Sequence, residues 1–537
     1  MPFYNTILFD ADGTLLDFKA AEKNALEGTL RSVGVEPTEA LTLRYSEINE
    51  GMWKLLERGE IKKSELKVRR FEDFARECGI EADGAALAEK YEGLLSCQGI
   101  LLDGAFELMS HLYGIADMYI VTNGILAVQT GRMSRVPIRH FVKKSFISDE
   151  VGYEKPAREF FDYVEAHIDG FDKAHTLVVG DSLSSDIKGA INAGIDCVWY
   201  NPKGTPAPEG MDITYTVSDL SEIESIVLYG REGTSPKMAS VVSALTEKGI
   251  DVRTDHPAAS FTTFKLGGCV DAAIFPRNAD ELKTAIDALC DADIKFTVLG
   301  NGSNCVFHDG GYRGAVIVLT EMKDISRNGD TVTVGCGMSL SALSLYANSY
   351  SLTGLEFAYG IPGSVGGGVV MNAGAYGGCI SDTICSALVY DTVRRELRTL
   401  TKPELCHSYR HSVFTSDKTL VLVSASFKLS MGDRQAGYEF MKTIRTKRRT
   451  SQPIDKPSAG SVFKKPADDV HVSRMIDEMG LKGTRVGGVC VSTKHAGFIV
   501  NDGGGTTNDL KDVIARVRRE FCEKHGFMLE CEIIFVS

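Results

Sequence analysis

The chain has 537 residues, of which 43% are hydrophobic and 24% are charged, and its formal net charge is −13. This length exceeds what one hydrophobic core organises, so we expect more than one domain. The acidic balance argues against a general nucleic-acid binder, because a phosphate backbone is bound by a basic face.

Short β-rich runs alternate with helical segments over residues 1–228. The runs are TILFDA, MYIVTN, HTLVVGD and DCVWY, and each ends at a polar or glycine-containing corner. Strands that alternate with helices predict an α/β fold with a doubly wound parallel sheet. A helical block over about residues 18–98 separates the first two runs, and we interpret it as a cap. Trp53, Arg69 and Arg70 within it are interpreted as members of solvated helix faces.

The first run ends in two carboxylates, Asp10 and Asp12, within LFDADG. A strand alternates faces, so residues two apart point the same way, and two like charges require a cation or a proton between them. Carboxylates with phosphate oxygens are ligands that Mg²⁺ prefers. The pattern therefore predicts a magnesium site for phosphate chemistry, and a turn that simply ends the strand is the alternative.

Three further corners supply groups for the same chemistry. VTNG places Thr122 and Asn123 at a strand end, where a hydroxyl and an amide can bind phosphate oxygens. GYEKPAREFF supplies Lys155, and VVGDSLSSDI supplies Asp181 and Asp186. Because open α/β sheets bind ligands at the carboxyl ends of their strands, we expect these corners to converge in one crevice.

This ordered set of motifs resembles the haloacid dehalogenase-like hydrolases, and within them the phosphatases. The resemblance implies that Asp10 is a nucleophile that forms an aspartyl-phosphate and that Asp12 is the general acid and base. It also implies Mg²⁺ held by Asp10, by the carbonyl of Asp12 and by Asp181, with Asp186 supporting the site, and a transferring phosphoryl group neutralised by Thr122 and Lys155.

Within that family the motifs look most like those of pyrimidine 5′-nucleotidases. This likeness implies a substrate similar to a nucleoside 5′-monophosphate. A different class of function stays open for this segment, namely a non-catalytic module that binds or regulates the rest of the chain.

The amino-acid composition of the sequence changes after residue 228. Residues 229–239 are rich in glycine, serine and charge, and we interpret them as a linker. Glycine-rich, β-heavy sequence follows, in which LGNGSN at 299–304 and GIPGSVGGGVVMNAGAYGG both allow backbone N–H groups to approach a diphosphate. Two such loops suggest a dinucleotide held between subdomains.

Three later fragments contain side chains that could take part in catalysis. They are Arg410 in YRHSVF, Ser461 in the tight turn of PSAGSVFKKP and Glu532 in LECEIIFV, which we expect in the last strand. Each alone is typical of an ordinary feature: a surface ion pair, a turn serine and a strand-edge glutamate.

Together with the glycine loops, these fragments resemble the UDP-N-acetylenolpyruvoylglucosamine reductase family over residues 240–537, in its shorter, type II form. The resemblance implies an α+β FAD-binding domain at 240–430 and a smaller α+β substrate domain at 431–537. It implies FAD reduced by NADPH, hydride transfer to an enolpyruvyl group in peptidoglycan precursor synthesis, Ser461 as proton donor, and Arg410 and Glu532 at the substrate carboxylate.

The resemblance also implies a set of FAD contacts. These are Gly300, Asn301, Gly302, Ser303, Asn304, Gly360, Ile361, Pro362, Gly363, Ser364, Val365 and Gly366 for the phosphates, and Asn372, Gly374 and Ala375 near the flavin. The rival function for this segment is a flavin oxidase of the same binding fold with another substrate.

Two departures from the reductase pattern leave ligands open. Ser451 stands where many relatives have lysine, so the substrate diphosphate is expected to rely on Arg449, Lys456 or Lys464. Cys531 stands where arginine is common, which leaves the charge around Glu532 undecided. His495 and Asn501 have a site role and a core role as equal alternatives.

The remaining signals concern the compartment. The thirteen cysteines lack metal-ligand spacing and are typical of reduced thiols. The N-terminus has no basic-then-apolar leader, and no apolar run approaches the length of about 20 residues that a spanning helix needs. We therefore expect a cytoplasmic protein with small-molecule partners and no nucleic acid or membrane.

Overall fold

The computed structural model describes residues 2–57, 60–208, 210–230, 236–466 and 470–536. The chain forms two compact units, Met1–Gly230 with Cys522–Met528 and Arg231–Phe521 with Leu529–Ser537. Residues 231–235 of the expected linker lie outside the described residues, and residues 236–239 of it already belong to a helix.

A six-stranded parallel sheet forms the centre of the first unit. Its strands are β1 (Thr6–Phe9), β2 (Asp117–Thr122), β3 (Val142–Ile147), β4 (Thr176–Gly180), β5 (Asp196–Tyr200) and β6 (Tyr215–Val217). They lie in the order β3-β2-β1-β4-β5-β6 with parallel pairing throughout. The four runs expected from the sequence are β1, β2, β4 and β5. All residues of β1 and β4 are buried, as in a parallel sheet covered on both faces.

Ten helices are described in the first unit, and the first four form the cap. They are α1 (Phe18–Ser32), α2 (Glu39–Glu57), α3 (Lys63–Cys78), α4 (Gly84–Leu95), α5 (Ala105–Leu112), α6 (Leu126–Ser134), α7 (Ser148–Val151), α8 (Arg158–Ala166), α9 (Lys188–Ala193) and α10 (Glu222–Tyr229). The cap has its own core, in which the rings of Tyr45, Phe71, Phe74 and Tyr91 pack together.

One residue of the cap differs from the expectation of a solvated face. Arg70 is only 2% exposed, its guanidinium donates to the side chain of Asn49 at 3.0 Å, and it lies over the rings of Phe71 and Tyr91. Asn49 in turn donates to Glu22, so a buried polar network ties α1, α2 and α3 together. Arg69, its neighbour in sequence, is exposed as expected.

The second unit begins with a four-stranded sheet. Its elements are α11 (Pro236–Glu247), β7 (Asp251–Pro257), β8 (Cys269–Phe275), α12 (Ala279–Asp291), β9 (Phe296–Leu299), β10 (Cys305–Phe307) and β11 (Tyr312–Val318). The order is β7-β8-β11-β9, with β7 antiparallel and the others parallel. The short strand β10 pairs instead with the last strand of the chain.

A five-stranded antiparallel sheet follows, in the order β12-β13-β19-β17-β18. This part of the chain contains β12 (Ile325–Asn328), β13 (Thr331–Gly335), α13 (Leu340–Ser349), β14 (Leu352–Thr353), α14 (Val365–Val370), β15 (Gly374–Ala375), β16 (Gly378–Cys379), α15 (Ile380–Thr383), β17 (Ile384–Asp391), β18 (Glu396–Thr401), α16 (Val413–Ser416), β19 (Leu420–Lys428) and β20 (Ser430–Met431).

The last part of the second unit is a smaller α+β arrangement around a three-stranded antiparallel sheet. Its elements are α17 (Arg434–Ser451), α18 (Val472–Glu478), β21 (Arg485–Val486), β22 (Val489–Val491), β23 (Ile499–Asn501), α19 (Thr507–His525) and β24 (Ile534–Val536), and the residues of α19 from Cys522 onward are counted with the first unit. Strand β24 returns to pair with β10, so the C-terminus completes the earlier part of the unit. The predicted fold classes, α/β followed by α+β, are confirmed.

Within the described ranges, no helix combines the length and the apolar character needed to cross a bilayer.

Candidate active sites

The first candidate site lies at the carboxyl ends of β1 and β4, which are neighbours in the sheet. Oxygens of Asp10, Asp181 and Asp186 all lie within 4.8 Å of one another. Gly13 allows this approach, because it has φ +86° and a Cβ there would come within 2.5 Å of a carboxylate oxygen of Asp181. The structure thus brings together the carboxylates that the sequence placed at separate corners.

Lys155 is the cation of this cluster. Its Nζ donates to Asp10 at 2.7 Å, to Asp186 at 2.6 Å and to the carbonyl of Val121 at 2.7 Å, and its side chain is 1% exposed. Burial disfavours the ammonium form, but Asp10 and Asp186 outweigh it and hold the pKa of Lys155 above its usual value.

The carboxylates are not fully balanced by this one cation. Burial, and then repulsion from Asp186, raise the pKa of Asp10 well above its usual value, and the same two causes raise the pKa of Asp181 to about 7. Three carboxylates facing one ammonium leave an excess of negative charge. An all-oxygen donor set with excess negative charge fits a divalent cation such as Mg²⁺.

Asp12 points to two partners that the sequence reasoning missed. Arg132 Nη1 donates to one of its carboxylate oxygens, and Gln129 Nε2 donates to the other. Both partners are at most 2% exposed and lie on α6, the helix that follows the VTNG corner. A signal was available: two polar residues three apart, on the apolar side of a helix that starts at a predicted site corner.

The two polar residues of the VTNG corner have different surroundings. The hydroxyl of Thr122 accepts from the N–H of Gly124 at 3.3 Å and lies 3.4 Å from Gln129 Nε2. The side-chain amide of Asn123 makes two hydrogen bonds with the backbone of Lys155: its Nδ2 donates to the carbonyl and its Oδ1 accepts from the N–H, both at 2.8 Å. In the structure the amide of Asn123 holds Lys155 in place, and its binding of phosphate stays a prediction.

The second candidate site contains both glycine loops, which are in contact. A Cβ on Gly300 would lie 2.0 Å from the hydroxyl oxygen of Ser364, and a Cβ on Gly363 would lie 3.3 Å from that of Ser303. Gly302 has φ +58°, and its carbonyl accepts from the N–H of Thr263 at 3.0 Å. The side chains missing at these positions let two backbones come together, which fits a cradle for a diphosphate.

Arg410 lies on a turn beside the second loop. Asn372 Nδ2 donates to the carbonyl of Ser408 at 3.0 Å, and Asn372 Oδ1 accepts from the N–H of Ser381 at 3.0 Å. Both Asn372 and Arg410 have positive φ. Asn372 therefore links the turn that contains Arg410 to α15, which directly follows the hairpin of β15 and β16 in which Gly374 and Ala375 pair with Cys379 and Gly378.

Arg410, Ser461 and Glu532 are brought to one place. Arg410 Nε donates to Glu532 Oε1 at 2.6 Å. The residue after Ser461, Val462, accepts from the N–H of Glu532 at 2.7 Å, so the serine and the glutamate lie on adjacent extended segments. Ser461 is exposed. Glu532 was expected within the last strand, but it precedes β24, which begins at Ile534.

The basic residues proposed for the substrate diphosphate are engaged elsewhere or exposed. Lys456 pairs with Asp502, and Lys464 pairs with Glu530 at 3.2 Å. Arg449 is exposed. The neighbouring residue is different: Arg448 is half-buried, its Cδ would lie 3.3 Å from a Cβ on Gly360, and its guanidinium carbon lies 5.7 Å from the ring centre of Tyr376. Its Nε is a buried atom without a hydrogen-bond partner.

The residues whose roles the sequence left undecided, Asn501, His495 and Cys531, make hydrogen bonds within the protein. Asn501 accepts from the N–H groups of Gly503 and Gly505 at 3.0 and 3.3 Å, which holds the turn after β23. His495 Nδ1 accepts from the N–H of Gly497 at 3.1 Å, and burial lowers the pKa of its imidazole. Arg518 donates to the sulfur of Cys531 at 3.3 Å. Although Cys531 replaces the arginine that is common before the glutamate, the structure thus places another arginine next to Cys531.

A groove of about 1010 Å³ opens in the second unit beside the first glycine loop. Its wall includes Asn301, Phe261, Thr262 and Thr263 together with Phe275. The groove thus reaches the loop expected to contact FAD, while Ser364 and the second loop are not part of its wall.

Three family models match the chain. The haloacid dehalogenase-like hydrolase model matches residues 4–194, the FAD binding domain model matches residues 270–394, and the model of the UDP-N-acetylenolpyruvoylglucosamine reductase C-terminal domain matches residues 452–536.

Curated relatives match the second unit over almost their whole length. The UDP-N-acetylenolpyruvoylglucosamine reductase of Lactobacillus acidophilus is 40% identical over 293 residues, which are 55% of this chain and 97% of the relative. That of Levilactobacillus brevis is 42% identical over 300 residues, 56% of this chain and 97% of the relative. The chain belongs to the UDP-N-acetylenolpyruvoylglucosamine reductase family. Its first unit is a haloacid dehalogenase-like hydrolase domain, so the reductase is part of a fusion.

Solved structures are similar to each unit of this reductase fusion. The hydrolase YfnB of Bacillus subtilis, solved with magnesium, is 40% identical, covers 42% of this chain and 98% of its own, and has a TM-score of 0.41. The reductase of Thermus caldophilus is 30% identical, covers 54% of this chain and 99% of its own, and has a TM-score of 0.47.

Proposed function

We propose that the second unit reduces UDP-N-acetylglucosamine enolpyruvate to UDP-N-acetylmuramate with FAD and NADPH. The observation that supports this best is the meeting of Arg410, Glu532 and the Ser461 segment in a unit that also contains the paired glycine loops. FAD, reduced by NADPH, supplies the hydride when it is bound to those loops.

The residues of the chain complete the reduction. Arg410 holds the substrate carboxylate and offsets the negative charge that develops on it, and Glu532 fixes the plane of the guanidinium through Nε. The Ser461 hydroxyl gives a proton to the carbon next to the one that receives the hydride, so the double bond gains one hydride and one proton. The serine then recovers its proton from solvent, to which it is exposed.

NADPH consumption by the full chain tests this proposal. We expect NADPH oxidation that depends on the UDP-enolpyruvyl sugar and consumes no oxygen. Oxygen consumption without that sugar would favour the flavin oxidase instead, and absence of both reactions from FAD-loaded protein would overturn the proposal.

We propose that the first unit is a Mg²⁺-dependent phosphatase that acts on nucleoside 5′-monophosphates. The support is the cluster of Asp10, Asp181 and Asp186, in which Asp10 and Asp186 are buried and Asp181 is exposed, together with the buried cation Lys155 that pairs with Asp10 and Asp186. The carboxylates would hold Mg²⁺, which supplies positive charge to the substrate phosphate. Asp10 attacks the phosphorus as the P–O bond to the leaving group breaks, and Asp12 gives the leaving oxygen a proton. Asp12 then takes a proton from the water that hydrolyses the aspartyl-phosphate.

Turnover of p-nitrophenyl phosphate separates this phosphatase from a non-catalytic module. We expect hydrolysis that requires Mg²⁺, stops with a chelator and is lost in Asp10→Asn. Wild-type protein that is folded but inactive with Mg²⁺ would support the module. For the substrate class, we expect faster turnover of UMP or dUMP than of sugar phosphates, and the reverse ranking would contradict the nucleotide assignment.

A further inference from the structure

Arg132 connects the acid–base residue of the first unit to both chain segments that join the cap to the sheet. One joining segment precedes α1, which begins at Phe18, and the other follows α4, which ends at Leu95. The two segments pair with each other, because the N–H of Asp17 donates to the carbonyl of Ile100 at 3.0 Å. The chain connections between the cap and the sheet are therefore these two paired segments.

The guanidinium of Arg132 contacts the second joining segment, the start of the cap and Asp12. Its Nε donates to the carbonyl of Gln98 in the second joining segment at 3.1 Å, and its Cζ lies 5.6 Å from the ring centre of Phe18 at the start of the cap. Its Nη1 donates to Asp12. The side chain is 0% exposed, so these contacts are made in a water-poor interior where a guanidinium keeps a fixed geometry.

Helix α6 packs closely on the second joining segment. A Cβ on Gly131 would lie 2.7 Å from the carbonyl oxygen of Ser96, and a Cβ on Gly99 would lie 3.3 Å from the carbonyl oxygen of Arg132. Movement of residues 96–101 is thus transmitted to the backbone on which Arg132 and Gln129 stand. Since these two side chains occupy both carboxylate oxygens of Asp12, the position of the segment decides where Asp12 points.

We propose that Arg132 is a positioning residue that couples cap movement to the orientation of Asp12. This inference rests on the proposed phosphatase function. To protonate a leaving group, Asp12 must turn one oxygen towards it, so one of its two present hydrogen bonds has to be exchanged. Arg132 makes that exchange depend on the cap, because a shift of residues 96–101 or of Phe18 moves the guanidinium that holds Asp12.

Two substrates with different leaving groups test the coupling. Phenyl phosphate needs a proton on its leaving oxygen, whereas 2,4-dinitrophenyl phosphate leaves without one. We expect Arg132→Met to lower kcat/KM for phenyl phosphate by about 100-fold, the scale of lost general-acid catalysis, and to change that for 2,4-dinitrophenyl phosphate little. Because kcat/KM reports only the steps up to loss of the leaving group, later hydrolysis does not interfere.

Arg135→Met is the matched control, since Arg135 is an exposed arginine one turn further along and its Nη2 contacts Cys97 instead of Asp12. Arg132→Lys is the second variant if Arg132→Met does not fold. An equal loss on both substrates would mean a merely structural role and would overturn the proposal, as would no change on either.

A readout that does not depend on turnover keeps the coupling distinct from the proposed function. If the folded wild-type protein hydrolyses neither ester with Mg²⁺, the phosphatase assignment fails by itself. The coupling still predicts that amides of residues 96–101 exchange hydrogen faster in Arg132→Met than in the wild-type protein. Unchanged exchange in that segment would overturn the coupling.

Discussion

Two neighbouring arginines at the end of α17 have opposite surroundings and allow a matched test. Arg448 is half-buried beside Gly360 and Tyr376, and burial lowers the pKa of its guanidinium, whereas Arg449 is exposed. A desolvated cation gains most from an anion. We expect Arg448→Met to raise KM for the UDP-enolpyruvyl sugar at least about tenfold, the scale of one charge-assisted contact, with unchanged FAD content.

Arg449→Met should leave that KM unchanged. If Arg448→Met instead releases FAD, the anion that Arg448 binds is the cofactor phosphate, and the assignment of Arg448 to the substrate is wrong.

Ser461 allows the two half-reactions of the reductase to be separated. Ser461→Ala should leave flavin reduction by NADPH unchanged and slow flavin reoxidation by the enolpyruvyl substrate by about 100-fold or more, because only the second step needs a proton donor. Rapid mixing with each reactant measures the two rates.

Ser451→Ala is the control, since Ser451 is an exposed serine at the end of α17. An equal slowing of both half-reactions in Ser461→Ala would point to damaged flavin binding and not to a lost proton donor.

At the scale of elements, the contact of the two glycine loops makes a reciprocal prediction. Gly300→Ala should abolish FAD retention, because its Cβ would lie 2.0 Å from the Ser364 hydroxyl oxygen. Ser364→Ala removes that oxygen and leaves the Ser364 Cβ 3.2 Å away, so Gly300→Ala/Ser364→Ala should regain part of the FAD. Flavin content per protein after gel filtration measures the outcome.

The single variant Ser364→Ala is the control for loss of the hydroxyl itself, which accepts from the N–H of Gly367 and belongs to the expected FAD contacts. If the double variant binds no more FAD than Gly300→Ala, the clash between the loops is not the cause.

The sequence predicted strand ends well and side-chain partners poorly. Asp10 and Asp181 follow from the positions of strand ends, because the carboxyl ends of parallel strands share one edge. Lys155 lies between α7 and α8 and was expected there as the cation for the same anion. The partners of Asp12 do not follow from it, since Arg132 lies 120 residues away on a helix whose rotation about its axis is set by packing. Arg70 was misjudged for the same reason: a charged residue in a helical pattern is usually solvated, but the aromatic core of the cap encloses it.

At the scale of the whole molecule, each unit contains all residues of its own proposed site. The phosphatase residues lie within Met1–Gly230, and the reductase residues lie within Arg231–Phe521 and Leu529–Ser537. We expect Asp10→Asn to abolish phosphatase turnover and to leave NADPH oxidation unchanged, and Ser461→Ala to do the reverse. Both activities measured on each full-length variant check this.

A loss of reductase activity in folded Asp10→Asn would show that the two sites are coupled. It would favour the alternative in which the first unit regulates the second.

The two tryptophans of the chain have a practical consequence. Trp53 lies on α2 of the cap, and Trp199 lies on β5, where its indole N–H donates to the carbonyl of Asp181 at 3.0 Å. Intrinsic indole fluorescence therefore comes from the first unit alone, while a bound flavin would emit from the second. Each half of the fusion has its own optical reporter, so heating or titration of the intact, unlabelled chain can follow the two halves at separate wavelengths.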